Sequence, residues 1–186
     1  MDRRVRKTRQ AIFEAFIGLL AEKDFEHITM NAIADRANVN RGTVYLHYMD
    51  KFDLLDQCID THLAQLLGDC LPGGTTHHPT KAAIQHIFAY LEQHAFLYKT
   101  LLVNKGIPTF RNRLMDVMLR ILREYIDESH IDRTMNKEVS AQFLASAIIG
   151  VLEWWIIQSM PYSTTDTVEQ IWSLLEGMRV VPAPSH

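Results

Sequence analysis

Five side chains between positions 41 and 51 combine hydrogen-bond donors with positive charge: Arg41, Thr43, Tyr45, His47 and Lys51. Arginine can bind the edge of a guanine base through two hydrogen bonds, and a threonine methyl group can contact a thymine methyl. Tyrosine, histidine and lysine can donate hydrogen bonds to phosphate oxygens, which fixes a protein on a duplex without reading its sequence. These residue types therefore indicate binding to a nucleic acid.

Helical periodicity places these donors on one side of a short helix. The apolar residues recur at three- or four-residue intervals, which predicts one buried face made of Val44, Tyr48, Phe52 and Leu55. The donors then face solvent. Gly42 lies on the same side, where its missing side chain lets the backbone approach a partner closely.

The residues before this stretch predict a helix-turn-helix. Thr29 is a suitable N-cap for a short helix, and the turn "ANVN" follows that helix. Asn38 tolerates the positive φ that such a turn requires, and Asn40 can cap a second helix over 41–48. A helix, a tight four-residue turn and a second helix form a DNA-binding arrangement.

The rest of the chain also has helical patterns, so the predicted fold class is all-α. One helix is predicted over about 5–22, and Asp50 can cap another over about 51–69. After the breaker segment "LPGGTTHHP", four longer helices are predicted over about 80–103, 108–128, 137–159 and 165–178. Pro79, Pro108 and Asn136 suit helix starts. Periodicity alone does not show whether the 80–103 helix breaks near His94.

Composition restricts where a polyanion can bind. The chain has 186 residues, 47% of them hydrophobic, and a formal net charge of -3, which indicates a globular protein rather than a polycation. A nucleic acid must therefore meet a local basic patch. One such patch is the N-terminus, with Arg3, Arg4, Arg6, Lys7 and Arg9.

Several features favour a soluble protein of a reducing compartment. Two cysteines do not make a disulfide framework in a chain of this size. The charged N-terminus does not resemble a signal peptide. The most apolar run, from Phe143 to Ile157, is shorter than the roughly 20 residues of a membrane span. We expect a cytoplasmic protein that does not contact a membrane.

The segment "ITMNAIADRANVNRGTVYLHYMDKFDLL" resembles the helix-turn-helix of the TetR/AcrR family of bacterial transcriptional regulators, and the resemblance covers about residues 6–66. Asn38, Asn40 and Tyr48 replace the usual Gly, Ser and Phe, and Leu46 stands where many members have a second Tyr. The resemblance implies a DNA-binding set made of Thr29, Asn40, Arg41, Gly42, Thr43, Tyr45, Leu46, His47 and Lys51.

The resemblance also implies two domains and a mechanism. Residues 1–60 would form the DNA-binding domain, with three helices and a linker helix, and 61–186 a helical effector-binding and dimerisation domain. A homodimer would bind double-stranded DNA at a palindromic operator. A small-molecule effector would release it, and most of the family repress transcription.

The segment "FLASAIIGVLEWWII" is apolar nearly all round, which predicts burial on several sides. A symmetric dimer would supply that burial, and the alternative is that the last two long helices complete the core of one subunit. The dimerisation candidates are Ala141, Ala145, Gly150, Ile171 and Leu174.

Large or adaptable apolar side chains on the middle helices could line an effector pocket, although each could equally belong to the core. Glu153 needs a partner in this apolar setting, either a cationic ligand or a donor such as Arg120 or Arg123. The pocket candidates are Phe88, Tyr90, Leu91, His94, Phe110, Leu114, Met115, Met118, Glu153 and Trp154.

Other functional classes have less support. The sequence contains none of the common catalytic motifs, and we expect neither an enzyme nor a metal or other cofactor. An architectural DNA-binding protein without sequence preference fits the helix-turn-helix poorly. The main alternative is a redox-responsive regulator that switches through Cys58 and Cys70, but these are about 18 Å apart on a straight helix, and a disulfide requires Cα atoms within about 7 Å.

Overall fold

The computed structural model describes residues 3–68, 80–104, 108–128 and 136–178, and these contain helices but no strand. The predicted all-α fold is confirmed. A short 3-10 helix, Phe25–His27, lies between the first two α-helices. The α-helices are α1 (Arg3–Glu22), α2 (Met30–Arg36), α3 (Arg41–Tyr45), α4 (Lys51–Gly68), α5 (Lys81–Gln93), α6 (Ala95–Val103), α7 (Pro108–Glu128), α8 (Lys137–Ile157) and α9 (Thr164–Gly177).

Side-chain caps set most of the predicted helix starts. Thr29, Asn40, Asp50 and Asn136 each accept backbone N–H groups of the helix that follows. Each cap satisfies donors that have no partner within the helix itself. Thr80 caps α5 in the same way, and Pro79 lies outside the described residues.

The second helix of the helix-turn-helix is shorter than predicted. It ends at Tyr45 rather than near residue 48, because the N–H groups of His47 and Tyr48 both turn back to the carbonyl of Val44. Phe52 therefore belongs to α4, and the predicted buried face does not extend to it. Its side chain is 58% exposed, and its ring meets Phe25 edge-on at 5.2 Å.

The helical pattern over 80–103 is divided at His94 into α5 and α6. The His94 ring stacks on the Tyr90 ring at 4.2 Å, and His94 Nδ1 lies 2.8 Å from the Tyr90 carbonyl oxygen. Neither proline nor glycine marks the break, which explains why periodicity did not reveal it.

The described residues of 1–64 and 96–110 form one compact unit. Asn104 joins distant parts of this unit, because its Nδ2 donates to the carbonyls of Leu20 and Lys23 while its Oδ1 accepts the N–H of Phe25. These bonds close the end of α1 and hold the 3-10 helix. Most of α6 therefore belongs to the same compact unit as the N-terminal helices. The predicted boundary at residue 60 between a DNA-binding and an effector-binding domain stays a prediction.

The described residues of 65–95 and 111–178 form a second unit, with α8 at its core. The Phe88 ring packs edge-on against the buried Trp155 at 5.1 Å, and Trp155 Nε1 donates to the Tyr162 carbonyl at 3.0 Å. The Thr164 hydroxyl donates to Glu92 at 2.8 Å, which ties the start of α9 to the end of α5.

By length and composition, α8 could cross a membrane, and it is the one such helix in the described part of the chain. The helix has 21 residues and begins at Lys137, close to its predicted range of about 137–159, so the apolar run 143–157 is part of a longer helix. One helix of this kind is weak evidence for a membrane span, because the core helices of soluble proteins have the same composition.

The turn between α2 and α3 is closed by two backbone hydrogen bonds around a left-handed residue. Asn38 has φ 53°. The N–H of Val39 bonds the carbonyl of Ala34 at 3.0 Å, and the N–H of Asn38 bonds that of Asp35 at 3.2 Å. This is a Schellman motif, which ends α2 and redirects the chain into α3. The predicted positive φ at Asn38 is confirmed.

We expect Asn38→Gly to keep or slightly raise the free energy of unfolding, because glycine adopts positive φ without steric cost. Asn38→Val should lower it by about 1–2 kcal/mol, the cost of left-handed backbone for an ordinary residue. Urea unfolding followed by circular dichroism measures both variants. A valine variant as stable as the unmodified protein would contradict this account of the turn.

Candidate nucleic-acid interface

The predicted DNA-binding residues of α3 lie mostly on its exposed side. Arg41, Gly42, Tyr45 and Leu46 are exposed, and Thr43 and His47 are half-buried. Val44 is completely buried and anchors the opposite side. A five-residue helix fixed by one core side chain and an N-cap thus presents a short polar surface to solvent.

Arg41 and Tyr45 interact along α3. The guanidinium carbon lies 5.3 Å from the centre of the Tyr45 ring, and Arg41 Nη2 donates to the Tyr45 hydroxyl oxygen at 3.4 Å. Residues four apart on a helix are neighbours, and a guanidinium group over an aromatic face is stabilised electrostatically. The pair places a guanidinium group and a phenol side by side on the exposed side of α3.

Among the residues that the structure describes, no side chain or backbone atom requires glycine at position 42. A methyl group added there would meet only Asn40 Oδ1, at 3.4 Å, and the residue has ordinary helical backbone. Glycine lowers helix stability. The close approach of DNA to this backbone stays a prediction, and the open space beside Gly42 is compatible with it.

Lys51 has a structural role that the sequence did not reveal. Its Nζ donates to the carbonyls of Phe25 and Glu26 at 3.0 and 2.9 Å, and it lies 4.7 Å from the Phe25 ring centre. These bonds hold the 3-10 helix against the start of α4. The predicted phosphate contact of Lys51 stays a prediction, since an ammonium group has three donors.

Arg9 belongs to a network inside the first unit. Its Nη2 donates to Gln57 Oε1 at 2.8 Å, and its Nε donates to the Tyr48 hydroxyl at 3.3 Å. Gln57 Nε2 donates to Asp53, which also accepts the N–H of Met49 at 2.8 Å. These bonds connect α1 and α4 to the segment that follows α3.

The hydrogen bonds from Gln57 and Met49 lower the pKa of the Asp53 carboxyl below its ordinary value. Since the folded-state pKa lies below the unfolded one, this group stabilises the fold at neutral pH, and the contribution is lost as the pH falls through the folded value. Burial raises the pKa of the Tyr48 hydroxyl, and the hydrogen bond from Arg9 opposes that shift.

The other basic residues of the N-terminal patch, Arg3, Arg4, Arg6 and Lys7, are exposed on the first two turns of α1. Positive charge near a helix N-terminus is disfavoured by the helix dipole, and the first turn of α1 has no acidic residue.

Thr29, another predicted DNA-binding residue, is exposed as well. Its side-chain oxygen accepts the N–H of Ala32, while its hydroxyl can still donate a hydrogen bond.

Two family models match the chain. The model described as bacterial regulatory proteins, tetR family, covers residues 12–58, and the model described as transcriptional regulator C-terminal region covers 80–177. The chain belongs to the TetR family of transcriptional regulators. Members of this family bind DNA operators as dimers and respond to small molecules, and the family is not a class of enzymes.

Individual TetR-family proteins are moderately similar. An uncharacterised HTH-type transcriptional regulator of Bacillus subtilis, YxbF, is 24% identical over 89% of this chain. The match spans only 44% of the length of YxbF. The probable acrEF/envCD operon repressor of Escherichia coli K12 is 24% identical over 84% of the chain and 79% of the repressor. A solved TetR regulator from Streptococcus agalactiae is 28% identical, with TM-score 0.72 and coverage of 94% and 96%.

The predicted effector-pocket residues lie in different units of the structure and differ in burial. Phe110 packs against Tyr98, 5.6 Å between ring centres, in the first unit. The remaining candidates belong to the second unit: Phe88, Leu91 and Leu114 are buried, Tyr90, His94, Met115, Met118 and Glu153 are half-buried, and Trp154 is exposed.

Glu153 has a partner that the sequence did not identify. Its Oε1 lies 2.8 Å from Arg111 Nε on α7. The two expected donors were Arg120 and Arg123, and Arg123 instead forms an ion pair with Glu138. The Glu153 carboxylate is therefore paired within the second unit, which removes the need for a cationic ligand.

An exposed apolar face runs along α8, formed by Val139, Phe143, Ala147, Gly150, Trp154 and Ile157. Their spacing of three or four residues puts them on one side of the helix. Of the dimerisation candidates, Gly150 lies on this α8 face and Leu174 is exposed on α9. Ala141 and Ala145 are completely buried in the subunit itself, and Ile171 is buried except for 7% of its surface.

The redox alternative finds no support at Cys58. The thiol is fully buried, and that burial raises its pKa to about 12, so the reactive thiolate is almost absent at neutral pH. Cys70 lies outside the described residues. In the described part of the chain, no group of three or more His, Cys, Asp and Glu side chains could hold a metal ion.

We expect Gly42→Ala to change stability and DNA affinity in opposite directions. The methyl group should raise the free energy of unfolding by about 0.5–1 kcal/mol, because alanine favours helix. It should weaken DNA binding roughly tenfold, or about 1.4 kcal/mol, by separating α3 from the duplex.

Gly177→Ala is the control, because it adds the same methyl group in the second unit, where that group meets no described atom within 4 Å. Thermal unfolding and fluorescence anisotropy measure the two effects. Unchanged DNA affinity in Gly42→Ala would contradict the close approach of DNA to this backbone.

Proposed function

We propose that this TetR-family protein is a cytoplasmic repressor that binds a palindromic operator as a homodimer and leaves it when a small molecule binds the C-terminal unit. The observation that carries DNA recognition is the exposed side of α3. There Arg41 and Tyr45 lie beside Gly42, where an added methyl group would meet only Asn40 among the described residues. Guanidinium and hydroxyl groups beside bare backbone suit hydrogen bonding to base edges and phosphates at close range.

Tyr45→Phe should weaken operator binding about three- to tenfold, because it removes one hydroxyl that donates to the duplex while keeping the ring under Arg41. The operator is obtained by selection from random duplexes, and affinity is measured by fluorescence anisotropy. Thr43→Ala should also weaken binding without unfolding the protein.

Tyr162→Phe removes an exposed hydroxyl in the second unit and serves as the control, with no expected change in affinity. Equal affinity of Tyr45→Phe and the unmodified protein would argue against a hydroxyl contact. If Tyr45→Phe and Thr43→Ala lost helicity and DNA binding equally, the result would argue against α3 as the helix that contacts the bases.

The α8 face supports the homodimer. Contiguous exposed apolar surface is rare on monomeric proteins and marks interaction sites. Leu174 on α9 and Met178, which follows that helix, are exposed as well. A two-fold axis brings the same face of two copies together, so this one surface is enough to form the contact. We infer that α8 and α9 of the two subunits pair.

Gly150→Arg should convert the dimer into a monomer. A Cβ added at Gly150 meets no described atom within 4 Å, and arginine favours helix by roughly 0.8 kcal/mol over glycine, so the subunit should stay folded. Multi-angle light scattering should give the mass of one chain, and operator affinity should fall because two half-sites are no longer held together.

Gln142→Arg is the matched control. It places the same residue on an exposed position of α8, about 100° around the helix from Phe143. This variant should remain a dimer. A dimeric Gly150→Arg variant, or a monomeric unmodified protein at micromolar concentration, would contradict an interface on the α8 face.

The proposal of an effector rests on the family and on the side chains of the second unit. Met115 and Met118 are half-buried on α7, and flexible methionines adapt to ligands of different shape. The Arg111–Glu153 pair adds polar groups that can orient an amphipathic molecule. A coupling of about 1–3 kcal/mol would change operator affinity roughly 5- to 150-fold.

A further inference from the structure

Leu46 and Met49 are the most exposed large hydrophobic side chains in the described part of the chain, at 81% and 80%. Scattered surface leucines need no explanation. These two differ because Tyr45 and Phe52 are also exposed, so a segment of eight residues carries four large hydrophobic side chains in solvent. The segment begins on the helix that faces the proposed operator.

Leu46 continues the surface that Gly42 begins. Its N–H bonds the Gly42 carbonyl at 3.0 Å, and its backbone is still helical, with φ -69° and ψ -21°. Helical side chains lean toward the N-terminus of the helix. Leu46 and the bare backbone of Gly42 therefore present adjoining apolar surface, beside the polar pair of Arg41 and Tyr45.

The chemistry of leucine restricts what it can recognise on DNA. Leu46 has no side-chain donor or acceptor, so it can bond neither phosphate oxygens nor polar base edges. The C5 methyl group of thymine is the apolar group that a base presents in the major groove. An apolar side chain against that methyl discriminates thymine from cytosine.

We propose that Leu46 reads a thymine methyl group in each half-site of the operator. The inference rests on the proposed function, and it adds a specific base and a specific atom. It makes Leu46 a specificity-determining residue, whereas the adjacent Arg41 and Tyr45 supply hydrogen bonds.

The test replaces each thymine of the selected operator by deoxyuridine, which pairs identically and lacks only the methyl group. For the unmodified protein, one position in each half-site should show a loss of affinity of roughly fourfold, the effect of burying one methyl group, and both together roughly 16-fold. The Leu46→Asn variant keeps the size of the side chain and removes its apolar character. It should bind thymine and deoxyuridine operators equally at those positions.

Phe96→Ala is the control, because Phe96 is 63% exposed in the same unit but on α6. It should keep the full response to deoxyuridine, and thermal unfolding should show Leu46→Asn folded. A selected operator that the unmodified protein binds equally with and without every methyl group would overturn the inference and leave the proposed function standing. The same would follow if Leu46→Asn kept the full response. Failure to select any sequence would overturn both.

Discussion

The exposed side of α3, which we propose contacts DNA, depends on one backbone constraint, the left-handed conformation of Asn38. It allows the carbonyls of Ala34 and Asp35 to be bonded while the chain turns away from α2. Asn40 then caps the next helix, and Val44 fixes it to the core. Without that turn, α2 would have no closed end and the exposed side of α3 would have no fixed direction. Recognition by a helix of five residues therefore relies on the geometry before it.

The surrounding unit supports this turn with polar contacts between distant residues. Lys51 bonds the carbonyls of Phe25 and Glu26 in the 3-10 helix, and Asn104, just after α6, closes the end of α1. Arg9 and Gln57 connect α1 to α4, and Asp53 holds the backbone just after Tyr48. A displacement of α4 would also move the segment that follows α3, because Asp53 on α4 accepts the N–H of Met49.

The local features of the fold could be predicted from the sequence, because a cap or a Schellman turn involves residues within five positions of one another. Thr29, Asn38 and Asn40 acted as their types suggest. The bonds of Lys51 and Asn104 span 26 and 84 residues, so periodicity did not reveal them. The sequence places Trp154 among the pocket candidates, because an all-apolar helix conceals which side is buried. The structure shows Trp154 exposed, on the same side of α8 as Phe143 and Gly150.

The most direct measurement of the central claim is the set of duplexes that the purified protein enriches from a random DNA library. Two copies of α3 related by a two-fold axis should enrich an inverted repeat, with half-site centres separated by about one helical turn or a multiple of it. Each enriched duplex should bind an even number of chains. Enrichment of a single asymmetric site bound by one chain, or equal retention of all sequences, would contradict the account.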